Sequence, residues 1–139
     1  MAEGLVLDTS ACFALLENET GAEAVEAHLL DARAGRLAIH AAFVTLTEVE
    51  YIITQERGAE DAESALSKMK AWPIQWHHSD DALCSAAAKL KAAHRISLAD
   101  SFVAALAQQL DATLIHKDPE FNTLESVVKL TMLPPKGVA

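Results

Sequence analysis

The chain has 139 residues, 51% of them hydrophobic, and sets twenty Asp and Glu against eleven Lys and Arg for a formal net charge of −9. That length suits one domain, residues 1–139, able to bury a full core, and leaves no comfortable room for a second. The acidic balance argues against a broad nucleic-acid-binding surface, which would be basic. It does not forbid a nuclease whose contacts come from a local patch, a second subunit or a metal.

At the N-terminus, the apolar run Leu5-Val6-Leu7 is too short for a signal peptide and is interrupted at once by Asp8. Phe102 to Ala107, among the longest apolar runs, falls far short of a membrane span, so a cytoplasmic protein with no membrane partner is expected. Strands are predicted near 4–8, 37–40, 74–77, 112–116 and 127–131. Helices are predicted near 11–17, 21–34, 43–57, 59–71, 80–95 and 98–110, with a short one between the last two strands. Gly35, Gly58 and Pro73 read as helix stops, and Ser79-Asp80-Asp81 as a helix start that suits the macrodipole. The tail Pro134-Pro135-Lys136-Gly137 reads as frayed. Strands alternating with helices of this length predict an α/β fold of three layers, a mainly parallel five-stranded sheet with helices on both faces. Cys12 and Cys84 are far apart, lack metal-ligand spacing and read as buried thiols on helices.

Four acids stand out against this pattern. Asp8 and Asp118 each follow an apolar run, at the carboxyl ends of predicted buried strands, where an open parallel sheet forms its ligand crevice. On helix 43–57, steps of about 100° put Thr47, Glu50, Thr54 and Arg57 on a polar face. Glu48 falls between Val44 and Ile52 on the other face, with Gln55 beside it. On helix 98–110, Asp100 lines up with Val103, Ala104 and Ala107, away from Ser101 and Gln108. Three of the acids have an ordinary alternative. Asp8 could cap the next helix, Ser97-Leu98-Ala99-Asp100 has the form of a capping box, and Asp118-Pro119 could open a turn. Glu48, in mid-helix, has no capping role. Buried carboxylates cost several kcal/mol unless paired, coordinated or protonated. No Lys or Arg shares these faces, so a hard cation ligated by oxygen, Mg²⁺ or Mn²⁺, is the natural counter-charge.

Four segments, in this order, carry a resemblance: Leu5-Val6-Leu7-Asp8-Thr9-Ser10, Thr47-Glu48-Val49-Glu50-Tyr51, Ser97-Leu98-Ala99-Asp100 with its continuation to Ala107, and Asp118-Pro119-Glu120-Phe121. Through them the chain resembles the PIN-domain ribonucleases, particularly the VapC-type toxins of prokaryotic toxin–antitoxin pairs. The resemblance implies a PIN-like fold and a Mg²⁺ or Mn²⁺ site built from Asp8, Glu48, Asp100 and Asp118, with Ser10 matching a hydroxyl often found near the metal. It implies an endoribonuclease that hydrolyses RNA phosphodiesters through a metal-activated water, with Asp118 or Glu48 handling that water from outside the metal shell. It also implies a cognate antitoxin and a homodimer. The antitoxin could lay an apolar helix in a groove and point an Arg or Lys at the acids. One departure is His116, which stands two positions before the last acid, where the family commonly has Thr or Ser. It could orient water or phosphate, or it could serve packing. Lys89, Lys91, His94 and Arg95, with Lys117, offer contacts to RNA or, for the helical group, complement a helix C-terminus. Other readings stay open: a housekeeping PIN nuclease without antitoxin, a non-catalytic PIN protein-binding module, and a DNA-directed nuclease, since nothing here reads a 2′-hydroxyl. A haloacid dehalogenase-like phosphatase is disfavoured, because its second Asp would fall at Ser10.

Overall fold

The computed structural model describes residues 3–134. Five strands, β1 (Glu3–Leu7), β2 (Leu37–Ala42), β3 (Gln75–His77), β4 (Thr113–His116) and β5 (Lys129–Met132), form one sheet in the order β3-β2-β1-β4-β5. Every pairing is parallel. The helices are α1 (Thr9–Leu16), α2 (Ala22–Arg33), α3 (Phe43–Arg57), α4 (Ala59–Ala71), α5 (Asp81–Ala93) and α6 (Leu98–Leu110), with a 3-10 turn over Pro119–Leu124.

The expected three-layer α/β architecture is present, with ends displaced by one to a few residues at several elements. The first helix starts at Thr9 rather than near 11, because Asp8 leaves the strand and caps the helix at once. β2 runs on to Ala42 because its last residues pair with β3, and β5 starts at Lys129, later than expected. Gly58 separates α3 from α4 at φ +98, a conformation that needs glycine. Of the expected frayed tail, Pro135, Lys136 and Gly137 lie outside the described residues.

A parallel sheet covered on both faces requires strands that are apolar on both sides. Leu5, Leu7, Ile39 and Ile115 point into one layer, with Val25, Val49, Ile53 and Met69 from α2, α3 and α4. Val6, Ala42 and Leu114 point into the other, against Leu83 and Leu90 of α5 and the alanine-rich α6. Each fully buried aliphatic side chain contributes about 1.5–3 kcal/mol. Ala104, Ala105 and Ala107 are all buried, so α6 packs closely on the sheet.

Two expectations fail on burial. Cys12 is buried but Cys84 is exposed on the outer side of α5. Ser101, set apart from the line of Asp100, Val103, Ala104 and Ala107, is fully buried like the last three of these, its hydroxyl donating to the Leu98 carbonyl at 2.5 Å, which satisfies a polar group that the core could not otherwise hold. No helix among the described residues is long and apolar enough to cross a membrane.

The strand order decides where a ligand can sit. From β1 the chain adds β2 and then β3 on one side, then returns to lay β4 and β5 on the other. Connections leave the neighbours β1 and β4 in opposite directions, so a crevice opens beyond their carboxyl ends.

Candidate active site

Asp8 is the first residue past β1. Its backbone N–H donates to the Ile115 carbonyl at 3.2 Å, tying it to β4. Its carboxylate accepts from the Ala11 N–H at 2.7 Å, capping α1, and Ser10 Oγ, which has a single proton to share between them, lies 2.8 and 2.7 Å from its two oxygens. Ser10 is fixed in turn by the Lys117 N–H, which donates to Oγ at 2.9 Å. Although Asp8 has these partners, it is only 3% exposed. Burial pushes its pKa up to about 7. The Ala11 and Ser10 hydrogen bonds oppose that shift, and the charges of Asp118 and Glu48 add to it.

Glu48 comes to the same crevice from α3. The buried stripe of α3 is Thr45, Val49 and Ile53, one residue on from the Val44–Ile52 line expected, and Glu48 sits half-buried at its border. Thr9 Oγ1 donates to Glu48 Oε1 at 2.6 Å and lies 3.2 Å from Oγ1 of fully buried Thr45. One hydroxyl proton cannot serve both bonds, so Thr45 supplies the second. The pair of hydroxyls holds one oxygen of Glu48 and leaves the other free.

Asp100, Asp118 and Glu120 close the far side. Asp100 lies in the first turn of α6, whose N-cap Ser97 accepts from the Asp100 N–H at 3.1 Å. The backbone therefore uses the serine half of the capping box. Asp118 caps the 3-10 turn, accepting from the Glu120 N–H at 2.9 Å, and Pro119 occupies the first position of that turn. One carboxylate oxygen from each of Asp100, Asp118 and Glu120 lies within 4.8 Å of the others. Glu120 was not singled out from the sequence as a site residue. The usable signal was its place one turn-step past Asp118, behind a proline that fixes the backbone direction. Burial, the hydrogen bond and charge of Glu120, and the charges of Asp118 and Asp8 together raise the Asp100 pKa to about 7.

The basic and imidazole groups near these acids turn elsewhere. His116 is fully buried, tilted against Phe121 with ring centroids 5.1 Å apart, and neither ring nitrogen has a hydrogen-bond partner among the described residues. Burial lowers its pKa, and Asp118 acts in the opposite sense. Lys117 does not reach toward RNA as the sequence suggested. Its side chain is 8% exposed and its ammonium lies 3.5 Å from Glu19, within Coulombic reach but without a well-aligned hydrogen bond.

The crevice therefore gathers Asp100, Asp118 and Glu120 in one tight group, with Asp8 and then Glu48 outside that group but near enough for charge to act between Asp8 and its neighbours. No Lys or Arg is paired to any of the five among the described residues. Burial, with like charge adding to it, holds two of these acids protonated until about pH 7, and no counter-ion opposes the shift. An all-carboxylate donor set fits a hard divalent cation rather than zinc or copper. The PIN-domain family model matches residues 5–126. The chain belongs to the PIN-domain family. Solved structures agree with that fold. VapBC2 from Rickettsia felis, bound to a DNA fragment from its promoter, superposes with a TM-score of 0.76 at 17% identity, covering 94% of this chain and 99% of its own. DNA-bound VapBC from Salmonella typhimurium gives 0.76 at 14% identity, with 95% and 98% covered. VapC20 from Mycobacterium tuberculosis, described as a sarcin-ricin loop cleaving toxin, gives 0.67 at 17%, with 86% and 93% covered. No curated protein matches this PIN domain by sequence.

Proposed function

We propose that this PIN domain is a Mg²⁺- or Mn²⁺-dependent endoribonuclease and the toxin of a VapBC-type toxin–antitoxin pair. The observation that carries the reading is the meeting of three carboxylates, Asp100, Asp118 and Glu120, with Asp8 and Glu48 close behind, at the switch point of a parallel sheet without a balancing cation. Asp8, Asp100 and Asp118, with Glu48 and Glu120, would hold the metal. When bound, the cation supplies Lewis-acid polarisation of a phosphoryl oxygen and makes water more acidic.

The chain's own residues do the rest. Ser10 orients the carboxylate of Asp8. Thr9 and Thr45 orient Glu48, whose free oxygen is suited to accept a proton from an attacking water, while no side chain is needed as nucleophile. Asp8 and Asp100 each give up a proton when a cation replaces it, so affinity for the metal rises with pH up to about 7. The antitoxin side of the proposal draws support from the VapBC structures that this fold resembles.

Asp100→Asn and Asp118→Asn, assayed on RNA with each metal, should lose cleavage while circular dichroism stays unchanged. Parent rates in either variant would overturn the assignment. Mapped product ends should be 5′-phosphate and 3′-hydroxyl. A cyclic phosphate, or full activity in excess chelator, would point to attack by the RNA 2′-hydroxyl instead. Growth arrest on expression alone, relieved by the neighbouring gene product, tests the toxin part. Its absence would leave a housekeeping nuclease.

A further inference from the structure

A second feature adjoins the acids. An open groove of about 740 Å³ runs along the end of α5 and the segment joining it to α6, lined by Lys91, His94, Arg95, Ile96, Ser97 and Glu120. Glu120 also belongs to the carboxylate cluster, so the groove adjoins the candidate active site through a shared residue. Lys89, grouped with these cations by sequence, faces a different depression with Ser85 and Gln108.

Position sets this groove apart. Arg36, Arg57, Lys117 and Lys129 are engaged with carboxylates, and Arg33, Lys68, Lys70 and Lys89, also without a carboxylate partner among the described residues, do not line the groove. Lys91 and Arg95 have no carboxylate partner among the described residues. Lys91 lies in the last turn of α5, where a cation suits the helix C-terminus. Arg95 follows the C-cap His94, whose backbone is extended, and so stands outside the helix itself. It is held there by His94 on one side, whose backbone N–H donates to the Leu90 carbonyl at 3.0 Å, and by buried Ile96 and the Ser97 cap of α6 on the other. Arg95 is thus an exposed, unpaired guanidinium on a segment pinned at both ends, three residues before the α6 turn that carries Asp100.

We propose that this groove carries the substrate strand, Lys91 and Arg95 holding phosphates adjacent to the one that is cleaved. The proposal rests on the nuclease reading above and names the surface by which a chain of net charge −9 holds a polyanion. A phosphodiester chain fits better than an acidic peptide. It presents charge at regular intervals on both sides of the reacting phosphate, so one strand can lie on the cations and over the acid-bound metal together.

Cleavage of a single-stranded RNA by the full chain, measured across a salt series, tests the idea. The double variant Lys91→Gln/Arg95→Gln should raise KM roughly tenfold near physiological salt, with kcat at saturating RNA retained. Its log–log dependence of kcat/KM on salt should be shallower than the parent's by about 1.4, two contacts at roughly 0.7 each. Lys68→Gln on α4 should match the parent throughout. An unchanged KM and salt slope in the double variant would overturn the groove and leave the nuclease reading standing. A parent protein that cleaves no RNA with either metal would overturn both.

Discussion

Asp8 and Asp80 begin helices in the same way. Each has extended backbone, at φ −83 and ψ 177 for Asp8 and φ −143 and ψ 176 for Asp80. Each accepts a hydrogen bond from the N–H three residues on, at 2.7 and 2.8 Å. Asp80 does so in solvent, at the start of α5, and nothing else is asked of it. Asp8 does so beneath the crevice, beside Ser10 and facing the charges of Asp118 and Glu48. The capping motif is identical at the two positions, so burial and neighbours, rather than the local chemistry of the aspartate, separate a helix start from a candidate metal ligand.

The largest effect should come from exchanging the carboxylates for amides at the two caps. Asn caps a helix as well as Asp does. Asp8→Asn should therefore keep α1 and lose RNA cleavage, whereas Asp80→Asn should keep both. Equal cleavage rates for the two variants would erase the contrast.

Next in size is the dependence of metal-free stability on pH. An unfolded aspartate ionises near 3.8, whereas Asp8 and Asp100 hold their protons to about 7. The folded state thus binds more protons than the unfolded one between these values, so stability falls as pH rises through this window and is lowest above it. For Asp8 alone the loss amounts to a few kcal/mol at pH 8. Thermal melts in chelator should give a higher Tm at pH 5 than at pH 8. Adding Mg²⁺ or Mn²⁺ should reverse most of the difference, since binding to the folded state stabilises it. In Asp8→Asn the pH dependence should shrink, and a slope equal to the parent's would show that Asp8 does not carry it. Asp80→Asn should leave the slope as it is.

A smaller effect is expected from the hydroxyls behind Glu48. Thr9→Val keeps the shape of the side chain and removes the 2.6 Å bond. Groups that orient a metal ligand are worth about 10–100-fold in affinity or activity. Mn²⁺ titration should show weaker binding by roughly tenfold, with Thr9→Ser restoring it. Equal affinity in Thr9→Val would leave that hydroxyl a packing detail.

Smallest is Asp80→Ala, which removes an exposed cap. It should cost about 1 kcal/mol of stability in a denaturant titration and leave cleavage untouched. A loss of cleavage would mean that the start of α5 shapes the RNA groove at its other end.

Much of this arrangement was legible in the residue pattern, for identifiable reasons. The run Leu5-Val6-Leu7 is apolar on both faces, which marks a central parallel strand, and Asp8 must then lie at its carboxyl end. Glu48 was visible because a mid-helix acid beside an apolar stripe has no local use. The misses share a different cause. Glu120, Thr45, Ser101 and Lys117 take their surroundings from segments distant in the chain. Glu120 meets Asp100 only when the turn after β4 folds over α6, and Lys117 finds Glu19 across the end of α1. Cys84 was misplaced because it stands one residue past the buried Leu83, Ala87 and Leu90 stripe of α5 and so turns to solvent.

By itself, the sequence determined the alternation of strands and helices, the caps at Asp8, Asp80 and Ser97, and the candidate acids at strand ends and on helix faces. All of these follow from periodicity, turn chemistry and the cost of a carboxylate without a local role. Only the tertiary structure decided which capping aspartate is buried, which cations stay unpaired, and that Glu120 joins Asp100 and Asp118. Burial and charge coupling depend on distances between residues far apart in the chain, and those distances exist only once β1 and β4 lie side by side.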